Sequence, residues 1–190
     1  MADSDYIQGV IDAAKGKPYS TEWYREKIKE FGQPGRLDLI RDGKRRSSPF
    51  GGTLNMFVYG PKHKKKLPYY DTFPLVLPIE NYKDGFLGIN FHYLPIPLRV
   101  KLLNTLVEAF TDDSNEKLDM TWRSIANLRS VRPIVRRYKA RNVKSMFLKL
   151  SVEDMLIAVL LPVQQFYSGE YRSRKSVSPN EVYRDTRQRI

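Results

Sequence analysis

Two stretches decide the fold: Phe73-Pro74-Leu75-Val76-Leu77-Pro78-Ile79, and Gly85-Phe86-Leu87-Gly88-Ile89-Asn90-Phe91-His92-Tyr93-Leu94. Both are rich in branched and aromatic side chains and are bounded by turn residues, which predicts strands. The prolines of the first suit an edge or bent strand. The glycines of the second suit a bulge or sharp curvature. Upstream, Leu54-Asn55-Met56-Phe57-Val58-Tyr59 reads as another strand. Three short strands at this spacing predict a small curved antiparallel sheet or open barrel.

Outward from this block the period changes. Leu98, Leu102, Leu106 and Phe110 recur every fourth residue after Pro97, as in a helix that opens on proline. Further helices are expected at 121–130, from Pro133 to about Arg141, and from a Ser151 cap through Leu160, with a strand at Ser145–Leu150. Near the N-terminus, Ile7, Val10, Ile11 and Ala14 mark one short helix, and Trp23, Tyr24, Ile28 and Phe31 another. Residues 33–53 hold Gln33-Pro34-Gly35, Asp42-Gly43, Ser47-Ser48-Pro49 and Gly51-Gly52, the chemistry of an extended linker. The last 20 residues have few apolar groups and read as a basic tail. The expected class is α+β: helices flank the sheet, with an extended N-terminal linker and a basic C-terminal tail. The expected divisions are 1–53, 54–167 and 168–190, and there is no internal repeat.

The chain has 190 residues, 41% of them hydrophobic and 12% aromatic, enough for a packed core. It carries 33 Lys and Arg against 21 Asp and Glu, a net charge of +12. Such a balance favours a polyanion: nucleic acid, an anionic membrane or an acidic protein surface. There is no cysteine, which excludes disulfides, thiolate nucleophiles and Cys-based metal sites. The longest nearly uncharged apolar run, Met155 to Val163, falls far short of the roughly 20 residues of a membrane span. The acidic start, Met1-Ala2-Asp3-Ser4-Asp5, does not read as a signal peptide.

Catalytic chemistry is sparse. His63 sits among lysines with no acidic orienter, and His92 lies in a predicted strand, where a structural histidine is the simpler reading. There is no histidine pair at metal spacing and no phosphate-cradling glycine loop. Glu153 and Asp154 suit the first turn of a helix better than acid–base work. Asp71, Glu80 and Asp84 would have to converge in a small barrel to hold catalytic metals. No catalytic residue, metal or cofactor is expected.

Basic patches are the stronger signal. Lys62-His63-Lys64-Lys65-Lys66 joins two predicted strands, flanked by Tyr59, Tyr69 and Tyr70. Lysines at a hairpin tip can sit on phosphates, and neighbouring tyrosines can stack on an exposed base. The alternative is a solvated tip with its tyrosines packed inward. Residues 129–149 hold eight basic groups and no acid: Arg129, Arg132, Arg136, Arg137, Lys139, Arg141, Lys144 and Lys149. On a helix from Pro133, Arg136 with Lys139 and Arg137 with Arg141 would form one cationic face. A bland solvated helix would mix in glutamate.

The strings Met56-Phe57-Val58-Tyr59-Gly60-Pro61-Lys62, Leu67-Pro68-Tyr69-Tyr70-Asp71-Thr72-Phe73-Pro74-Leu75 and Gly85–Pro95 resemble structural proteins of tailed phages, especially T-even-like myoviruses. Within these, the chain resembles the DNA end protector and head completion group. The resemblance spans residues 54–110. It implies a non-enzymatic virion component, present in host cytoplasm during assembly, that binds DNA ends or completes the head. Its partners would be DNA, through the phosphate backbone, and other phage subunits in a multi-subunit assembly, with no membrane role. Lys44, Arg45, Arg46, Arg172, Arg174, Lys175, Arg184, Arg187 and Arg189 would lie on arms that contact those subunits. Two other readings stay open: a neck, tail or baseplate protein binding acidic neighbours, and a metal-dependent nuclease acting at DNA ends.

Overall fold

The computed structural model describes residues 44–110, 128–129, 131–150, 155, 158–161, 164–169 and 175–190. The expected helices at 1–32 and the linker residues 33–43 lie outside the described residues, as does 121–127.

Six strands form one antiparallel sheet: β1 (Arg45–Arg46), β2 (Asn55–Met56), β4 (Leu75–Tyr82), β5 (Gly85–Asn90), β6 (Val135–Lys139) and β7 (Phe147–Lys149), in the order β1-β7-β2-β4-β5-β6. A second, two-stranded antiparallel sheet pairs β3 (Tyr69–Asp71) with β8 (Phe166–Ser168). Helices α1 (Ile96–Phe110) and α2 (Pro179–Gln188) accompany the sheets, and Met155 and Ala158–Leu160 are helical. The class is α+β with an open sheet that does not close into a barrel.

The apolar runs reflect burial on both faces of the main sheet. Side chains alternate along a strand, so adjacent apolar residues serve opposite faces. Leu75 and Leu77 join a large core with Leu54, Ile89, Leu148 and the α1 residues Leu103 and Leu106. Val76, between them, joins an aromatic cluster of Phe57, Tyr59, Phe86, Tyr138 and Phe147 on the other side. In that cluster Phe57 and Phe147 have ring centroids 4.7 Å apart, and Phe86 stacks on Tyr138 at 5.2 Å.

Strand β4 is interior, flanked by β2 and β5, so of the edge or bent strand its prolines suggest, the edge is excluded. Two features make room for Pro78. The register shifts between Pro78 and Glu80 against β5, and β2 is already past, pairing only with Leu75 and Val76. The bulge thus falls on β4, not on the glycine-bearing β5. Gly85 is needed for a different reason: a Cβ there would strike the Tyr138 carbonyl of β6.

Two expectations are overturned. The segment from Pro133 to Arg141 is not a helix. Pro133 opens a 3-10 turn at Arg132–Ile134, and the chain then extends as β6 along the free edge of β5, pairing Ile89 with Val135 through Gly85 with Lys139. The segment expected as a basic tail over 168–190 carries a packed helix instead of an appendage at its end. Ser178 caps α2 by accepting from the Asn180 N–H, Pro179 sits in the first turn, and Val182, Tyr183 and Thr186 are buried. Their i, i+1 and i+4 spacing gives this otherwise charged helix one inward face.

Candidate nucleic-acid interface

The lysine run is an exposed connection between β2 and β3. Lys64–Lys66 form a single 3-10 turn, closed by Lys66 N–H to the His63 carbonyl and Leu67 N–H to the Lys64 carbonyl, each at 3.0 Å. Its base is held by Gly169, whose N–H donates to the Pro68 carbonyl and whose missing Cβ leaves space for the Lys64 and Leu67 carbonyls. Among the described residues no carboxylate pairs with Lys62, Lys64, Lys65 or Lys66. The flanking tyrosines point inward: Tyr59, Tyr69 and Tyr70 are buried. Tyr69 packs on Tyr93 at 5.9 Å and on Phe166 at 6.2 Å, and burial, with the Asp185 charge, pushes its phenol up to about 12. These rings build the core and offer no face to a base.

The 129–149 cluster is divided by the strand geometry. In β6, Arg137 and Lys139 project to one side, Arg136 and Tyr138 to the other. Arg137 donates to Asp84 at 2.8 Å, and Lys139 lies 3.5 Å from the same carboxylate. The Arg137 hydrogen bond holds the Asp84 carboxyl below its ordinary pKa. The β4–β5 turn therefore supplies the acid that residues 129–149 lack. Arg136 is half-buried, with its guanidinium over the Tyr93 ring at 4.1 Å and donating to the carbonyls of Pro133 and Val135. Arg136 is thus tied into the fold, while Arg137 and Lys139 share one exposed carboxylate at the surface. Arg129, Arg132, Arg141 and Lys144 are exposed.

The lysine run and the end of this cluster meet. Tyr59 bridges Val143, the Gly60 N–H donates to the Asn142 carbonyl at 3.0 Å, and the Lys144 N–H donates to the Val58 carbonyl at 2.8 Å. Lys62 follows Gly60 by two residues and Arg141 adjoins Asn142, so Lys62–Lys66, Arg141 and Lys144 share one edge. Lys175 borders it through its carbonyl, which accepts from Ser168 N–H beside β3. Sequence reading separates these patches by about 75 residues, and only the strand pairing joins them.

Lys44, Arg45 and Arg46 are not on a free arm. Arg45 and Arg46 pair with Leu148 and Phe147, and the Lys44 carbonyl accepts from Lys149 N–H. Arg184, Arg187 and Arg189 are exposed at the C-terminus, the first two on α2. Arg172 and Arg174 lie outside the described residues.

The carboxylates considered for metal binding do not converge. Asp84 is held by Arg137, Glu80 is exposed on β4, and Asp71 is buried. Among the described residues no three His, Cys, Asp or Glu side chains could together hold a metal ion. Asp71 accepts instead from Nδ1 of His92 at 2.9 Å, Asn90 Nδ2 at 3.3 Å and Phe73 N–H at 3.0 Å. His92 lies in a 3-10 turn just after β5, and burial pushes its pKa down while Asp71 opposes that shift. The His92 and Asp71 side chains are 0% and 2% exposed, an enclosed pair that solvent does not reach. Among the described residues no helix is long and apolar enough to cross a membrane.

No curated protein and no solved structure matches the chain. The resemblance read from residues 54–110 stands and extends into both flanks: the chain belongs to the family of the phage T4 terminal DNA protecting protein, which matches residues 4–186.

Proposed function

We propose that this chain binds the ends of duplex DNA and shields them without catalysis, gripping phosphates through Lys62, Lys64, Lys65, Lys66, Arg141 and Lys144. The observation that carries the reading is the shared edge. Backbone hydrogen bonds join residues 58–60 to 142–144 and so bring Lys62–Lys66 beside Arg141 and Lys144, exposed and, among the described residues, without carboxylate partners, in a chain whose family is described by the protection of terminal DNA. Flexible lysines suit backbone phosphates, which position a protein without reading sequence. With Tyr59, Tyr69 and Tyr70 packed inward, this edge contributes charge and no base stacking. The setting is the virion at the terminus of the packaged genome, and the host cytoplasm during assembly. The exposed Arg184, Arg187 and Arg189 face the structural subunits that meet the protein there.

Salt dependence tests the assignment. Replacing Lys62, Lys64, Lys65 and Lys66 with alanine keeps the fold, since all four side chains are exposed. If each neutralises one phosphate, the slope of log affinity against log salt falls by about 3 to 4. A slope equal to that of the native chain would remove the lysine run from the interface.

A further inference from the structure

Beyond the β2–β7 pairing the two chain segments continue side by side, and the aromatic cluster marks one of their faces. Phe57, Tyr59 and Phe147 belong to it and Val143 packs against it. Side chains alternate along an extended chain, so the neighbours Val58, Lys144 and Met146 project to the opposite face. Gly60 bears this out: the Lys144 stem runs past it, with Cγ and Cε 3.9 and 3.8 Å from where a Cβ would stand. Hydrogen bonds tie the segments together. The Val58 N–H donates to Ser145 Oγ at 2.9 Å, and that hydroxyl donates to the Met146 carbonyl at 2.9 Å.

On this opposite face Met56 and Leu148 are buried in the main core. Farther along, the cover ends: Val58 is 41% exposed and Met146 57% exposed. Single exposed apolar side chains are common on proteins. Here two stand together and are bordered by cations. Lys144 shares their face, and Arg141 and the Lys62–Lys66 turn lie on the adjoining edge, without carboxylate partners among the described residues.

We propose that this face receives the open end of a DNA duplex, with Val58 and Met146 against the terminal base pair and Lys144, Arg141 and the lysine turn on the phosphates of the last nucleotides. The proposal rests on the end-binding reading above and supplies what the lysine edge lacks. Phosphates occur all along a duplex, so charge alone does not distinguish an end from the interior. The two surfaces match in chemistry: an apolar patch bordered by positive charge meets an apolar base-pair face bordered by negative charge. Inside a duplex an apolar side chain reaches such a face only by prising two base pairs apart. At an end the face is already open to water, so contact buries apolar surface without unstacking.

The test compares affinities of the full chain for a blunt linear duplex and for a covalently closed circle of the same sequence. The variants are Val58→Thr, Met146→Gln, their double, and Met146→Leu. Both positions are exposed, and threonine and glutamine are close to the native side chains in size, so the fold is kept. The native chain should prefer the linear form. The double variant should lose about tenfold of that preference, each polar single less, while affinity for the circle stays within about twofold of native because the cations are untouched. Met146→Leu keeps an apolar side chain and should keep the native ratio; a loss as large as that of Met146→Gln would overturn the apolar contact. If the double variant keeps the native linear-to-circle ratio, this face does not meet the DNA end: the inference falls, the end-binding reading stands, and the face is left to a protein neighbour. A native chain with equal affinity for both forms overturns the end-binding reading and this inference with it.

Discussion

The guanidinium of Arg99, fully buried in α1, donates to the phenolic oxygen of Tyr183 in α2 at 2.8 Å, a contact between residues 84 apart in the chain. Arg99 Nε also donates to the Leu94 carbonyl at 2.7 Å, and Gln164 Nε2 donates to the same phenol at 2.8 Å. A buried cation is tolerated only while its donors are met. The C-terminal helix therefore completes the core.

Tyr183→Phe should keep the ring and remove the acceptor. The expected loss is about 1–3 kcal/mol, from a buried donor left unsatisfied. Urea unfolding monitored by far-UV circular dichroism measures it. Truncation before Pro179 also removes the buried Val182, so it should lower the melting temperature further than Tyr183→Phe does. A truncated chain as stable as the native one would return residues 179–190 to the status of a solvated tail.

His92 sets a pH dependence. Burial lowers its pKa in the folded chain, while in the unfolded chain it titrates near its ordinary value of about 6.5. The unfolded state thus binds more protons as pH falls through about 6.5, and stability falls with it; above that pH the contribution is complete. His92→Asn keeps a side-chain N–H for Asp71 and removes the titration. The melting temperature of the native chain should drop between pH 7 and 5.5 by more than that of the variant. Parallel curves would show that His92 does not couple to folding.

What was legible in the sequence follows from local chemistry. The runs around Leu75–Val76–Leu77 and Phe86–Ile89 are short, branched or aromatic and bounded by turn residues, and the four-residue repeat of Leu98, Leu102 and Leu106 opens on Pro97, a helix start. Val135–Lys139 is different. Arg136 with Lys139 and Arg137 with Arg141 fit helical spacing, while Val135, Arg137 and Lys139 fit alternation, and the open edge of β5 decides between them. The C-terminus misleads because Val182, Tyr183 and Thr186 are few, and their value lies in Arg99, which no local pattern announces. The lysine run was legible as a polyanion patch, but its neighbour Lys144 joins it only through the Tyr59–Val143 bridge.

The central claim is that the chain covers DNA ends. Its most direct test is exonuclease digestion of a linear duplex at low salt, with the native chain saturating the ends and the Lys62, Lys64, Lys65 and Lys66 alanine variant alongside. The account predicts that the native chain slows digestion from the ends at least tenfold, that the variant protects much less, and that a duplex with hairpin-capped ends binds the native chain more weakly than the open one. Digestion at the rate of naked DNA, with the native chain bound, would contradict it.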